Sequence, residues 1–278
     1  MYFDAHSHLP AAMPAPDCAA GWRERSRLGL AGAVINGTGE TDWAAVTALV
    51  ADVPWLVPSY GLHPWAVGHR SPAWQAHLRT ALATAPRAGV GEIGLDRWML
   101  TRARPDDPRL AGRRRAPLPE QQEVFAWQLA LAATENRAAS IHCLDAWDLI
   151  FATLRTTARP SRGFLLHAYA GPAELVAELT ALGAYFSFNG AFLDPRRARA
   201  RAVFAQVPDH RLLVETDAPV MSPSTPCPGS ARLPAVEGRG FNHTGNLAAT
   251  YAGLAQLRGV PLATLTAQVA ENFHRLFG

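Results

Sequence analysis

The chain has 278 residues, 49% of them hydrophobic, with a formal net charge of +3. That length allows a sizeable core in one large domain or two small ones, and with no second-domain boundary visible a single unit over residues 1–278 is expected. No run reaches the roughly 18 apolar residues of a membrane span. Residues 2–9 hold an aspartate and two histidines, unlike a signal peptide. A cytoplasmic protein is expected, with no membrane partner and no obligate protein partner.

Composition closes off some chemistry. The three cysteines, Cys18, Cys143 and Cys227, form no C-x-x-C pair, so neither a zinc ribbon nor a disulfide framework is suggested. Cys143 follows His142, but neighbours on a strand face opposite ways, and Cys143 reads as a small packing residue. All 26 cationic side chains are arginine. A lysine Schiff base is therefore excluded, and so is a lysine carbamate as a metal bridge.

In chain order, eight short β-type runs alternate with amphipathic stretches. The runs are residues 2–8, 32–37, 56–63, 89–96, 139–144, 163–169, 184–189 and 212–217. Helical spacing marks residues 43–51, 72–85, 120–137, 146–158, 173–182 and 195–206, with a weaker crossover at 18–28. A Pro/Gly/Ser-rich loop follows at 222–240, then two helices at 246–257 and 262–276. Alternation of this kind implies a parallel sheet. Eight units in a chain of this size favour an α/β fold of the closed (β/α)8 TIM-barrel type, with additional C-terminal helix.

Barrel enzymes place their catalytic groups at the C-terminal ends of strands. The first run ends in His6 and His8, which share a face because strand side chains alternate. The third ends in His63, the fifth carries His142, and the sixth carries His167. The fourth carries Glu92 and Asp96, and the eighth ends in Glu215-Thr216-Asp217. Singly, each has an ordinary structural explanation. Together they put imidazoles and carboxylates at one barrel mouth, an arrangement that is costly without cations. His69, His77, His210 and His274 read as surface or core residues.

The ordered set Asp4-Ala5-His6-Ser7-His8, Gly61-Leu62-His63-Pro64, Gly91-Glu92-Ile93-Gly94-Leu95-Asp96, Ile141-His142-Cys143, Leu166-His167, Ser187-Phe188-Asn189-Gly190 and Glu215-Thr216-Asp217-Ala218-Pro219 resembles the TatD family of metal-dependent deoxyribonucleases. The resemblance covers essentially the whole chain. It implies two divalent metal ions, Zn, Mn or Mg. His6, His8 and Asp217 would bind the first ion, His142 and His167 the second, and Glu92 would bridge both. His63 would contact a substrate phosphate. A hydroxide shared by the ions would attack phosphorus, and Asp217 could serve as general base. Imidazole donors suit Zn or Mn better than Mg. The expected substrate is single-stranded DNA or another phosphodiester, trimmed 3′ to 5′.

The substrate rim departs from the family. Relatives often carry Arg soon after the fifth-strand His, where this chain has Cys143-Leu144. Ala168-Tyr169-Ala170-Gly171 stands for Cys-Phe-Ser-Gly, and Phe241-Asn242-His243-Thr244 for Arg-Asn-Glu-Pro. Arg239 could take the place of the missing arginine and, with His63 and Asn242, contact substrate, and His243 could reach the site. Trp65, Trp98, Tyr169 and Phe241 fit either base stacking or rim packing. The arginine-rich stretch 101–117 fits either a solvated insertion or a phosphate-contacting rim. Two other readings stay open: a two-metal amidohydrolase or esterase acting on an amide, lactone or aminoacyl ester, and a barrel retained as a binding scaffold.

Overall fold

The computed structural model describes residues 1–8, 25–223, 232–236 and 239–278. Its strands are β1 (Tyr2–His8), β2 (Leu30–Asn36), β3 (Leu56–Tyr60), β4 (Gly89–Asp96), β5 (Ala139–Leu144), β6 (Phe164–Leu166), β7 (Ala184–Asn189) and β8 (Leu212–Glu215). Each pairs in parallel with the next in sequence. The ends of this sheet meet. Asp217 N donates to the His6 carbonyl at 2.9 Å, and His8 N to the Ala218 carbonyl at 2.7 Å. The expected (β/α)8 barrel is formed, and its seam joins the first strand to the end of the last.

The connecting helices described are α1 (Arg25–Leu28), α2 (Trp43–Asp52), α3 (Pro64–Val67), α4 (Trp74–Thr84), α5 (Trp98–Thr101), α6 (Leu118–Thr134), α7 (Trp147–Thr156), α8 (Val176–Ala181) and α9 (Ala198–Phe204). Strands covered on both faces read as continuous apolar runs, and Phe164, Leu165, Leu166, Leu212, Leu213 and Val214 are all fully buried. In α6, Val124, Phe125 and Leu129 pack inward together with Gln121 and Gln128. The two glutamines finish the strands below them. Gln128 accepts from Leu62 N at 2.7 Å, and Gln121 from Asp96 N at 2.8 Å.

The strand ends differ from the sequence reading where the chain leaves the sheet for the site. β3 stops at Tyr60, because His63 precedes a proline and caps α3 in an extended conformation. β6 stops at Leu166, before Ala168 turns with φ +42°. β8 stops at Glu215, before Asp217 adopts φ +53°. The loop expected at 222–240 contains strand structure: β9 (Arg232–Val236) pairs antiparallel with β10 (Arg239–Asn242). Of the first crossover, Arg25–Leu28 is helical; its earlier part, with Cys18, lies outside the described residues, as does Cys227.

Helices α10 (Leu247–Arg258) and α11 (Leu262–Phe277) follow. Gly259 ends α10 in the left-handed region, φ +64°, as a helix C′ residue must. Buried Tyr251 of α10 accepts from Phe3 N at 3.1 Å and donates to the Phe3 carbonyl at 2.9 Å. Asn272 of α11 donates to the carbonyls of Asp209 and Leu212. Both helices thus brace the seam strands. Among the described residues, no helix is long and apolar enough to cross a membrane.

Candidate metal centre

Barrel closure puts β1 beside the turn after β8. His6 Nε2 and His8 Nε2 lie 3.8 and 3.3 Å from Asp217 Oδ1. Ligand atoms of these three residues all fall within 4.8 Å of one another. The turn is built for this. Asp4 accepts from Thr216 N at 3.0 Å and from Thr216 Oγ1 at 2.6 Å, locking β1 to β8 below the site. Burial pushes the Asp4 carboxyl up to about 7 against those hydrogen bonds.

Glu92 stands between two groups of imidazoles. Its Oε2 is 3.2 Å from His8 Nε2 and 3.6 Å from His6 Nε2. Its Oε1 is 2.8 Å from His167 Nε2, 3.0 Å from His142 Nδ1 and 3.6 Å from His63 Nε2. The side chain is 3% exposed, so these contacts are made out of reach of bulk water. β4 crosses β5 closely here. A Cβ on Gly94, at φ +140°, would stand 2.0 Å from the His142 carbonyl oxygen, so the motif needs glycine.

Outer partners decide which nitrogen of each ring faces inward. His8 Nδ1–H donates to the Asn36 carbonyl at 2.9 Å, leaving the Nε2 lone pair toward Glu92 and Asp217. His6 Nδ1 meets Ser140 Oγ at 2.8 Å. Asn36 Oδ1 is buried without a partner, while its Nδ2 lies 3.1 Å from His6 Nδ1. Reversing that amide gives its oxygen the Nδ1–H and frees Nε2. His142 Nε2 lies 3.5 Å from Asp96 Oδ2, and His167 Nδ1 lies 3.7 Å from Glu215 Oε1. Their other nitrogens face Glu92.

His63 is different. Its Nδ1 accepts from Trp65 N at 3.1 Å, so the neutral ring carries its proton on Nε2. That nitrogen enters the site as a donor. Proximity alone would group His63 with Glu92 and His142 as ligands; the tautomer argues against it.

The charges show what the cluster lacks. Burial would raise the Glu92 carboxyl, but the imidazoles of His63, His167 and His142 hold it well below the usual range. Burial disfavours imidazolium, yet Asp217 and Glu92 push His8 well up, and Asp96 and Glu92 push His142 up to about 9. His167 is likewise raised, by Glu92 and Glu215, against its burial. Burial, with His167 next, lowers His6 to about 4. Protons thus gather between carboxylates where inward lone pairs converge. His6 Nε2 and His8 Nε2 are 3.1 Å apart, and Asp217 Oδ1 is buried with no hydrogen-bond partner. Divalent cations fit this donor set and would replace those protons.

Several residues essential to this geometry have no role assigned from the sequence, although Asp96, Glu215, Ser187 and Asn189 stand within its motifs; Ser140 and Asn36 lie outside them. Glu215 accepts from Ser187 and Asn189 and faces His167. Ser140 and Asn36 orient His6, and Asp96 faces His142. Their signal was polar residues in buried strands at two-residue spacing from one another or from a histidine, as in Ser140/His142 and Ser187/Asn189. Asn242, expected to meet substrate, is 1% exposed and braces the Asp217 turn instead. It donates to the Thr216 carbonyl and accepts from Asn246, each at 2.8 Å. The Arg239 side chain lies outside the described residues. His243 caps the turn before α10 by accepting from Gly245 N. Cys143 is half-buried, and burial pushes its thiol far above the ordinary range, as suits a packing residue. His69, His77, His210 and His274 are exposed.

The family model described as TatD related DNase matches residues 3–278. The chain belongs to this family. A TatD relative from Escherichia fergusonii, named a 3′-5′ ssDNA/RNA exonuclease, is 31% identical over 90% of this chain and 88% of its own length. The relative of the same name from Escherichia coli is 30% identical over the same shares. A Bacillus subtilis relative, named an uncharacterized metal-dependent hydrolase, is 25% identical over 100% of this chain and 99% of its own. Among solved structures, the TatD homolog YjjV from Escherichia coli superposes with a TM-score of 0.81 at 26% identity, covering 99% of this chain and 97% of that one. The TatD fold and the carboxylate–imidazole cluster therefore occur together in this chain.

Proposed function

We propose that this TatD-family protein is a metal-dependent phosphodiesterase that removes nucleotides from the 3′ end of single-stranded nucleic acid. One observation carries the metal chemistry: a buried carboxylate, Glu92, offers one oxygen to each of two imidazole groups. His6, His8 and Asp217 would hold one divalent ion, and His142 and His167 another, with Glu92 shared. Donor chemistry favours Zn or Mn for the imidazoles, with Mg the less suited ion. Such ions supply Lewis-acid charge for the phosphoryl oxygens and a lowered pKa for water.

The chain's own groups divide the remaining work. His63 Nε2–H donates to a phosphoryl oxygen, a role its Trp65-fixed tautomer suits. Asp217, whose carboxylate would keep one oxygen free while Oδ1, beside His6 and His8, held an ion, accepts the proton of the attacking water. Asp96 and Glu215 keep the rings of His142 and His167 turned inward. The names of the relatives support phosphodiesters as the bond cleaved, ahead of an amide or small ester.

The test is an end-labelled single-stranded oligonucleotide incubated with purified protein in Mg²⁺, Mn²⁺, Zn²⁺ or EDTA, with Glu92→Ala as the contamination control. A ladder shortening from the 3′ end, dependent on metal and absent in Glu92→Ala, is expected. An intact oligonucleotide with every ion would overturn the reading.

A further inference from the structure

Resting on the phosphodiester reading, the geometry points to a strand-binding platform made by Trp65 and Trp98, with Arg113 as its phosphate contact. The base beside the scissile phosphate stacks on these indoles.

The platform starts at the metal centre. His63 and Trp65 meet edge to face, with ring centroids 5.4 Å apart at 89°. Trp65 Nε1–H donates to Asp96 Oδ2 at 2.5 Å, which fixes the indole's orientation. Trp98 opens α5 with one residue between it and the end of β4, so the strand that carries Glu92 and Asp96 also delivers the second indole. The two rings are 6.5 Å apart at 30°, and both are half-buried. Nucleobases are the flat component of the expected substrate, and stacking on aromatic faces is tolerant of sequence.

The neighbouring arginines distinguish a platform from a general basic rim. Arg109 lies over Trp98, 4.4 Å from the ring centroid, and is held there by Asp107. Arg104 pairs with Asp106 and Arg114 with Glu120, while Arg115 donates to the carbonyls of Met99 in α5 and Arg104 in the loop. These fold the insertion onto the barrel. Arg113 is exposed, and its contact is a 3.4 Å donation to the Trp65 carbonyl. Among the described residues no carboxylate pairs with it. Its guanidinium, anchored on the Trp65 carbonyl through one nitrogen, has its remaining donors to hold a backbone phosphate beside Trp65. Tyr169 does not contribute: it is fully buried, and its hydroxyl donates to Pro172.

The experiment compares kcat/KM of the metal-loaded protein on two single strands of equal length. One is intact; the other has abasic nucleotides on both sides of the first scissile phosphate. The wild type is expected to prefer the intact strand by roughly 10-fold or more, from the usual strength of base–aromatic stacking. In Trp98→Ala that ratio should collapse towards one, and Trp98→Phe should restore part of it. Arg113→Ala should raise KM for both strands and leave the ratio in place. Equal cleavage of both strands by the wild type, or an undiminished ratio in Trp98→Ala, would overturn the platform and leave the nuclease reading standing. Cleavage of neither strand by the wild type would sink both.

Discussion

Replacing Glu92 with glutamine keeps the shape of the side chain and removes its charge. The carboxylate has contacts at 2.8 and 3.0 Å on one oxygen and 3.2 Å on the other. An amide can accept on one side only and presents a donor to the other group of imidazoles. Even residues that merely orient metal ligands contribute about 10–100-fold to metal affinity, so loss of a shared anionic ligand should cost at least about 100-fold. At an ion concentration of about 100 times the wild-type Kd, binding stabilises the native state by about 2.7 kcal/mol. With a 100-fold weaker Kd this falls to about 0.4 kcal/mol. For a chain of this size, 1 kcal/mol corresponds to roughly 2–4 °C in Tm. The wild type should therefore gain about 5–10 °C when Mn²⁺ is added to EDTA-stripped protein, and Glu92→Gln about 1 °C. Without metal the two should melt within a few degrees, because the proton that Glu92 foremost holds on His167 leaves with its charge. Scanning calorimetry across a Mn²⁺ titration reads both quantities. A Glu92→Gln protein with the full wild-type shift would refute the bridging role.

Asp217→Asn should lower oligonucleotide hydrolysis by about 100-fold or more; full activity with unchanged metal content would remove Asp217 as the base. Tyr251→Phe strips the buried partner from both backbone groups of Phe3 and should cost about 1–3 kcal/mol in urea unfolding; an unchanged midpoint would mean that this tie between α10 and the seam strand adds nothing. Arg114 first, and then Arg70, hold the Glu120 carboxyl down at about 2. A depressed folded-state pKa stabilises above the unfolded value and is lost as pH falls from about 4.5 to about 2. Between pH 5 and pH 2.5 the wild type should lose about 1–2 kcal/mol more than Glu120→Gln, after allowance for solvent screening. Parallel acid sensitivity in the two proteins would count against the pairing.

The barrel and the residue types at its mouth are legible in the amino-acid chain. Both are local signals. Buried parallel strands appear as apolar runs, and a histidine or carboxylate at the end of such a run stands out against them. Residues 2–8, 89–96, 139–144 and 184–189 could be bounded from the run alone, because each of these strands stays in the sheet to the last residue of its run. The strands at 56, 163 and 212 were read too long, because their final residues are polar or apolar as a strand would be but turn out of the sheet to serve the site.

How the polar groups share the site depends on contacts between strands far apart in the chain. Closure of β1 on the turn after β8 brings His6 to Asp217 across more than 200 residues of sequence, and no periodicity encodes that distance. The inward nitrogen of each ring is set by a partner on another strand: Asn36 for His8, Asp96 for His142, Glu215 for His167. Asn242 and His63 show the limit from both sides. Each lies in a short polar motif that suggests substrate contact. The fold uses up the amide of Asn242 behind the Asp217 turn, while the backbone of Trp65 turns the Nε2–H of His63 into the site. A side chain's type is written in the chain, but the direction of its lone pairs and protons depends on neighbours that only folding brings together.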